Sequence, residues 1–130
     1  MATGTLGTSA RDYPSRVERF VFPLTVTNLG GAASVKIGTV PAGSGLMRCT
    51  TIVGTAFTAG ATVQLGTAPS GAQIVAAAAP GAVGINSQTI IAAQAGPLAA
   101  DTAIWLTNAG TAAAAGNGLL VLEWGNPGAG

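Results

Sequence analysis

The chain has 130 residues, of which 48% are hydrophobic and 7% charged, and its net charge at pH 7 is +1. That length fits a single domain, and the few Lys and Arg residues disfavour nucleic acid as the main partner, because phosphate binding needs clustered positive charge. With no histidine and a single cysteine, Cys49, the sequence excludes imidazole catalysis, metal sites built from His and paired Cys, and an internal disulfide.

The N-terminal segment, residues 1–19, is predicted to be an arm that is flexible or docks on a partner. Residues 1–10 are small and polar and contain no apolar signal-peptide core. Most of the charge of the chain follows within a few residues. The candidate docking residues are Arg11, Asp12, Tyr13, Arg16, Glu18 and Arg19. A short mixed-charge arm suits docking, and an ordinary solvated terminus is the competing interpretation.

From Phe20 onward the sequence alternates with period two, which is typical of half-buried strands. Pro23 predicts that the first strand lies at a sheet edge or is bulged, because proline cannot donate a ladder hydrogen bond. The apolar face of this strand comprises Phe20, Phe22, Leu24 and Val26. A second strand is predicted over 33–40, and residues 41–45 form a turn rich in Gly and Pro.

The longest predicted strand covers residues 46–57. Strict alternation divides its side chains between two faces, with Met47, Cys49, Val53 and Phe57 on one and Leu46, Arg48, Thr50 and Ile52 on the other. Cys49 is expected to pack in the core as a small apolar group.

Shorter strands are predicted over 62–65, 72–77, 89–93, 102–107 and 119–124, and residues 125–130 form a Gly/Pro tail. The alanine runs at 76–79 and 112–115 are interpreted as loops, because four residues cannot nucleate a helix and Gly and Pro flank both runs. About eight short strands at near-regular spacing predict an all-β fold, a β-sandwich or jelly roll over residues 20–124. The apolar stretch 74–85 is too short and too interrupted for a membrane span.

Catalytic and ligand-binding patterns are weak throughout the chain. Residues 38–44 resemble part of a phosphate loop, but Ser44 stands where the lysine is needed. Asp101 is expected to open a strand from a turn, and Glu123 to face solvent or form an ion pair. Trp105 and Trp124 are expected in the core or an interface, with stacking on a sugar ring as the alternative. We therefore expect no catalytic residue, no metal and no cofactor.

Several stretches resemble small structural proteins of tailed bacteriophages. The resemblance is carried by residues 35–46 (VKIGTVPAGSGL), 55–57 (TAF), 60–67 (GATVQLGT), 98–105 (LAADTAIW) and the closing LVLEW strand. It implies a β-sandwich or jelly roll that coats a virion, as head decoration (cement) proteins do, often as trimers over junctions between capsomers. The implied partners are further copies of the chain, as a homotrimer, and the major capsid protein. The implied location is the capsid exterior, after synthesis in the cytoplasm of the bacterial host.

Two other binding functions remain open from the sequence. A receptor- or glycan-binding module of a phage fibre or tail would use Trp105, Trp124 or Tyr13 as a stacking platform. A neck or tail structural subunit would use the same apolar strands for ring contacts. An enzyme is the class that the sequence favours least.

Overall fold

The computed structural model describes residues 16–30, 34–91 and 97–126, and these residues form β-strands, turns and loops without a helix. The eight strands are β1 (Arg16–Leu24), β2 (Val35–Val40), β3 (Gly45–Thr55), β4 (Val63–Gly66), β5 (Val75–Ala78), β6 (Gly84–Gln88), β7 (Thr102–Thr107) and β8 (Asn117–Asn126). The all-β prediction is confirmed.

The strands form two four-stranded antiparallel sheets. Sheet 1 has the order β1-β8-β3-β6, and sheet 2 has the order β2-β7-β4-β5. The pairing is nested, since β1 pairs with β8, β2 with β7, β3 with β6 and β4 with β5. This is the arrangement of a long antiparallel ribbon rolled into two sheets, the jelly-roll form of the β-sandwich. It has the consequence that β1, β2, β5 and β6 are the edge strands.

The core lies between the two sheets and is filled by alternate residues of each strand. Leu120 and Leu122 of sheet 1 are fully buried, as are Ile104 and Leu106 of sheet 2. Burial of one such side chain stabilises the fold by about 1.5–3 kcal/mol. The predicted inward face of the first strand is confirmed for its Phe and Leu residues, because Leu24 is buried and the two phenylalanines pack against the core.

The edge position predicted from Pro23 is also confirmed, because β1 is the outermost strand of sheet 1. However, β1 begins at Arg16, so residues 16–19 of the predicted arm are part of the sheet. Arg16 is the register partner of Asn126, and β8 thereby extends two residues into the predicted tail. The apolar alternation does not mark these ends, because backbone pairing continues where the side chains are polar. Val26, predicted inward, lies in the following turn and is exposed.

The side chains of β3 do not follow strict alternation. Leu46 is buried and Met47 is 52% exposed, the reverse of the prediction, whereas Cys49 is buried as expected. The cause is a register shift between Leu46 and Arg48 in the pairing with β8. A bulge of this kind adds one residue to one strand and reverses the faces beyond it.

The segment between β4 and β7 differs most from the sequence-based expectation. The strand predicted over 72–77 overlaps β5, which covers Val75–Ala78, so three residues of the alanine run 76–79 lie in a strand rather than in a loop. Strand β6 covers Gly84–Gln88, where no strand was predicted. Residues 89–91 of the predicted strand 89–93 are not in a strand, and residues 92–93 lie outside the described residues. The strand predicted over 102–107 matches β7. The run 112–115 is a loop, as expected.

Candidate interaction surface

Part of the outer face of sheet 2, at β4 and the end of β7, is covered by the loop of residues 67–73, which joins β4 to β5. Gln64, which is 6% exposed, donates through Nε2 to the carbonyl oxygens of Ser70 (3.1 Å) and Gly71 (3.0 Å). The amide of Thr67 donates to Oε1 of Gln73 at 3.0 Å. The loop is thus held down on β4 by its own backbone and by two glutamines.

Hydroxyl groups continue this polar cover towards the end of β7. The hydroxyls of Ser34 and Thr107 lie 2.8 Å apart, and the amide of Ser70 donates to Oγ of Ser34, also at 2.8 Å. A small polar cavity of about 280 Å³ lies here, and its lining includes Gln64 and Thr107. Because these polar groups bond to one another, the outer face of sheet 2 is largely satisfied within the chain.

Asn108 ties three loops together at the same end of the sandwich. Its Oδ1 accepts from the amides of Thr62 and Gly110, each at 2.9 Å. Its Nδ2 donates to the carbonyls of Leu29 (2.7 Å) and Thr111 (2.8 Å). The Asn108 side chain is 3% exposed, and its amide group bonds to the protein backbone rather than to a ligand.

The outer face of sheet 1 has no such cover among the described residues. One apolar row crosses all four strands in register, through Pro23, Leu119, Ile52 and Ile85. Ile85 is 76% exposed, Leu119 39% and Ile52 38%. Since neighbouring strands lie about 4.8 Å apart, the row is about 15 Å wide. A contiguous apolar strip of this kind is typical of an interaction site.

A second row lies next to it on the same face, with Val21 and Val121 on β1 and β8 and Thr50 and Ser87 on β3 and β6. Val21 is 53% exposed. The two adjacent rows therefore carry two apolar side chains each on β1 and β8 and one each on β3 and β6.

A third row carries charge. Nε of Arg48 donates to Oε1 of Glu123, and this ion pair is open to solvent on the arginine side. Arg19 is the register partner of Glu123 on β1, yet within the described part of the chain it forms no ion pair. We call these three rows together the bare face; its residues are Arg19, Val21, Pro23, Arg48, Thr50, Ile52, Ile85, Ser87, Leu119, Val121 and Glu123.

The two flanks of the sandwich also differ. Between β1 and β2, the ring of Phe20 lies over Gly38, where a Cβ would come within 2.9 Å of the ring, and 6.1 Å from the ring of Trp124. Between β5 and β6 lies a groove of about 470 Å³, lined largely by alanines and by uncharged polar side chains. Gln88 Nε2 bridges this flank by donating to the carbonyl of Ala79 at 3.1 Å.

The residues predicted for docking are only partly within the described structure. Arg11, Asp12 and Tyr13 lie outside the described residues, whereas Arg16, Glu18 and Arg19 belong to β1. Of these, Arg19 lies on the bare face. The docking role of the arm remains a prediction. The rows of Val21, Ile52 and Leu119 were missed, although each residue alternates with a core residue in its strand.

The two tryptophans occupy different environments. Trp124 is 7% exposed and packs in the core cluster, in agreement with the core interpretation. Trp105 is half-buried on the outer side of sheet 2, with Lys36 and Gly66 as its register partners. An interface or stacking role for Trp105 remains a prediction.

Each of the groups considered for catalysis in the sequence has a structural role in the fold. Burial raises the pKa of Cys49 to about 12, so its thiol stays protonated. Oδ1 of Asp101 accepts from the amide of Ala42 at 2.9 Å just before β7, while Glu123 is paired with Arg48 on the other sheet. Both carboxylates therefore have the structural roles expected of them.

The described residues contain neither a metal-binding cluster nor a membrane-spanning helix. In residues 16–30, 34–91 and 97–126 there is no group of three or more His, Cys, Asp or Glu side chains that could hold a metal ion. Nor does that part of the chain contain a helix of the length and hydropathy needed to cross a membrane.

The fold defines an eight-stranded antiparallel β-sandwich of jelly-roll topology. A chain of the cyanophage Pam1 capsid asymmetric unit has a similar fold, with a TM-score of 0.57 and 18% sequence identity, over 98% of this chain and 93% of that chain. At this identity the similarity establishes the fold. No protein-family model and no curated protein matches the sequence.

Proposed function

We propose that this chain is a virion structural protein of a tailed bacteriophage, a head decoration (cement) protein that binds the outer capsid surface and stabilises the head. The observation that supports this most is the end-to-end similarity in fold to a chain of a phage capsid asymmetric unit, with nearly all of both chains covered.

The chemistry of the surface supports a binding role without catalysis. The bare face offers apolar side chains and one ion pair, while the only thiol is buried and protonated. A coat protein is held by many weak contacts repeated over symmetry-related copies, and such contacts need shape and apolar area rather than titratable groups. We propose a homotrimer whose partner is the major capsid protein, with residues 1–15 as an additional docking segment.

The test is binding of the purified chain to capsids of the parent phage assembled without it. We expect saturable binding to the outside of these capsids and a higher temperature of capsid disruption when they are decorated. Capsids that already carry the chain are the matched control and should take up no more of it. Absence of binding to the undecorated capsids would contradict the proposal, as would density for the chain on a tail or fibre.

The oligomer and the arm are tested separately. The mass of the free chain in solution should be three times that of the monomer. A chain lacking residues 2–15 keeps all of β1, since the strand begins at Arg16, and we expect its occupancy on capsids to fall. Unchanged occupancy would remove the segment from the docking mechanism without affecting the rest of the proposal.

A further inference from the structure

We infer that the bare face of sheet 1 is the surface by which this chain docks on its partner, and that the partner presents an apolar ridge bordered by a carboxylate that pairs with Arg19. This inference rests on the proposed function, because it names the surface that contacts the shell and the chemistry that the shell must offer.

The first argument is the difference between the two outer faces. On the outer face of sheet 2, residues 67–73, held by Gln64, cover β4 and the end of β7, but the chain leaves apolar side chains exposed across the four strands of sheet 1. Isolated exposed apolar residues need no explanation, whereas a row that runs in register from Pro23 to Ile85 does. An apolar ridge laid across the strands would bury that row.

The second argument is charge complementarity, which favours a different protein over a second copy. Glu123 is the only acid on the bare face and is already paired with Arg48. If two copies met face to face, Arg19 would contact either another charged row or the far end of the sheet, where Asn117 and Thr55 are register partners. Neither arrangement supplies an unpaired carboxylate. A partner with an acidic border does.

The third argument is area. With its border, the bare face covers on the order of 400 Å², given the spacing of strands and residues. A stable pairwise complex buries roughly 800 Å² on each partner. The face alone is therefore too small for a stable isolated dimer, but sufficient as one contact among several made by an oligomer on a repeating shell.

The primary experiment compares Ile85→Glu with Thr39→Glu. Ile85 is the most exposed residue of the apolar row and lies at its β6 end, and Thr39 is an exposed strand position on the outer side of sheet 2. The probe is the undecorated capsid of the parent phage. We expect Ile85→Glu to weaken capsid binding about tenfold or more, because the docked complex would bury an unpaired carboxylate. Thr39→Glu should stay within about twofold of the original chain.

A second pair of variants tests the charge. Arg19→Glu should weaken binding about tenfold, because it places a carboxylate against the acidic border, and Arg19→Lys should retain most of the affinity. Added salt should weaken binding by Arg19→Lys, because it screens an attraction, and should strengthen binding by Arg19→Glu, because it screens a repulsion. Equal binding by the two variants would contradict the acidic border.

The other outcomes separate the occupants of the face. If the original chain binds capsids and Ile85→Glu binds equally well, the inference is wrong and the proposed function stands. If Ile85→Glu changes the mass of the free oligomer, the face is a contact between copies. If its effect on binding disappears once residues 2–15 are removed, the chain's own N-terminal segment covers the face. If the original chain does not bind capsids, the proposed function and the inference both fail.

Discussion

On the outer face of sheet 2, residues 67–73 and hydrogen bonds between polar groups cover β4 and the end of β7, whereas the outer face of sheet 1 has no such cover among the described residues and carries an apolar row across four strands. Both sheets bury their inner faces in the same core, so folding alone does not require the difference. An exposed apolar row favours self-association in a chain of net charge +1. The comparison therefore separates residues that stabilise the fold from residues left available for binding.

The largest effect on stability is expected at Asn108, which directly follows β7 of sheet 2. Asn108→Ala removes the partners of two backbone amides and two backbone carbonyls; one of these four hydrogen bonds is buried and three are partly buried. We expect the free energy of unfolding to fall by about 3 kcal/mol, measured by urea denaturation. Asn28→Ala is the control, because the Asn28 side chain forms one exposed bond, to the carbonyl of Pro23, and should cost less than about 1 kcal/mol. Equal losses in the free energy of unfolding of the two variants would show that the hydrogen bonds of Asn108 do not hold the loops together.

A smaller effect is expected from the residue that holds the covering loop. Gln64→Ala should lower the free energy of unfolding by about 1.5 kcal/mol, because two backbone carbonyls lose their donor. Amide hydrogen exchange should become faster within residues 67–73 and remain unchanged in β8. Gln88→Ala, on the more exposed flank, is the comparison and should leave exchange in the loop unaltered. Unchanged protection of the loop amides in Gln64→Ala would show that the hydrogen bonds of Gln64 do not hold residues 67–73 on sheet 2.

The inner side of sheet 1 provides a prediction on pH. Burial raises the pKa of Cys49 from its ordinary value of 9.0 to about 12. The folded chain therefore holds the thiol proton more tightly than the unfolded chain does. This contribution to stability is complete below pH 9 and is lost as the pH rises towards 12. At pH 10 the loss should be about 1 kcal/mol.

The measurement is urea denaturation at pH 7, 8 and 10, with Cys49→Ala as the control; this variant lacks the titration, and its loss of core packing is the same at every pH. The difference between the two chains should narrow at pH 10. A native thiol that reacts with a thiol reagent as fast as a free cysteine would contradict the burial on which this prediction depends.

The smallest effect on stability is expected on the bare face. Ile85→Glu should change the free energy of unfolding by no more than about 0.5 kcal/mol, because the side chain is already in water in the free chain. Thermal denaturation of the purified variant gives the measurement. A large loss would mean that Ile85 is covered in the free oligomer, and the contrast between the two outer faces would no longer hold.

The strand pattern was predictable where side chains alternate cleanly and one face is clearly apolar. The alternation of Phe20, Phe22 and Leu24 predicted an inward face, and Pro23 between them predicted an edge strand. The strand at 102–107 was predicted with its observed bounds. In each case the signal is local, because it depends on residues that are adjacent in the chain.

The errors arose where pairing with a distant strand decides the local structure. The bulge that buries Leu46 and exposes Met47 depends on the register between β3 and β8, which are separated by more than half of the chain. The sequence of β6, GINSQ, has no apolar alternation, and it is a strand because it pairs with β3. The start of β1 at Arg16 likewise follows from its pairing with the end of β8.

By itself, the amino-acid sequence determined the class of fold and excluded imidazole chemistry, because short alternating strands, Gly-rich turns and the absence of histidine are properties of composition and near neighbours. The tertiary structure decided which of two apolar strand faces became core and which remained in water. Val21 and Phe22, or Ile52 and Val53, are equally apolar in sequence. Only the position of the second sheet, set by strand pairing across the whole chain, makes one member of each pair structural and leaves the other free to bind.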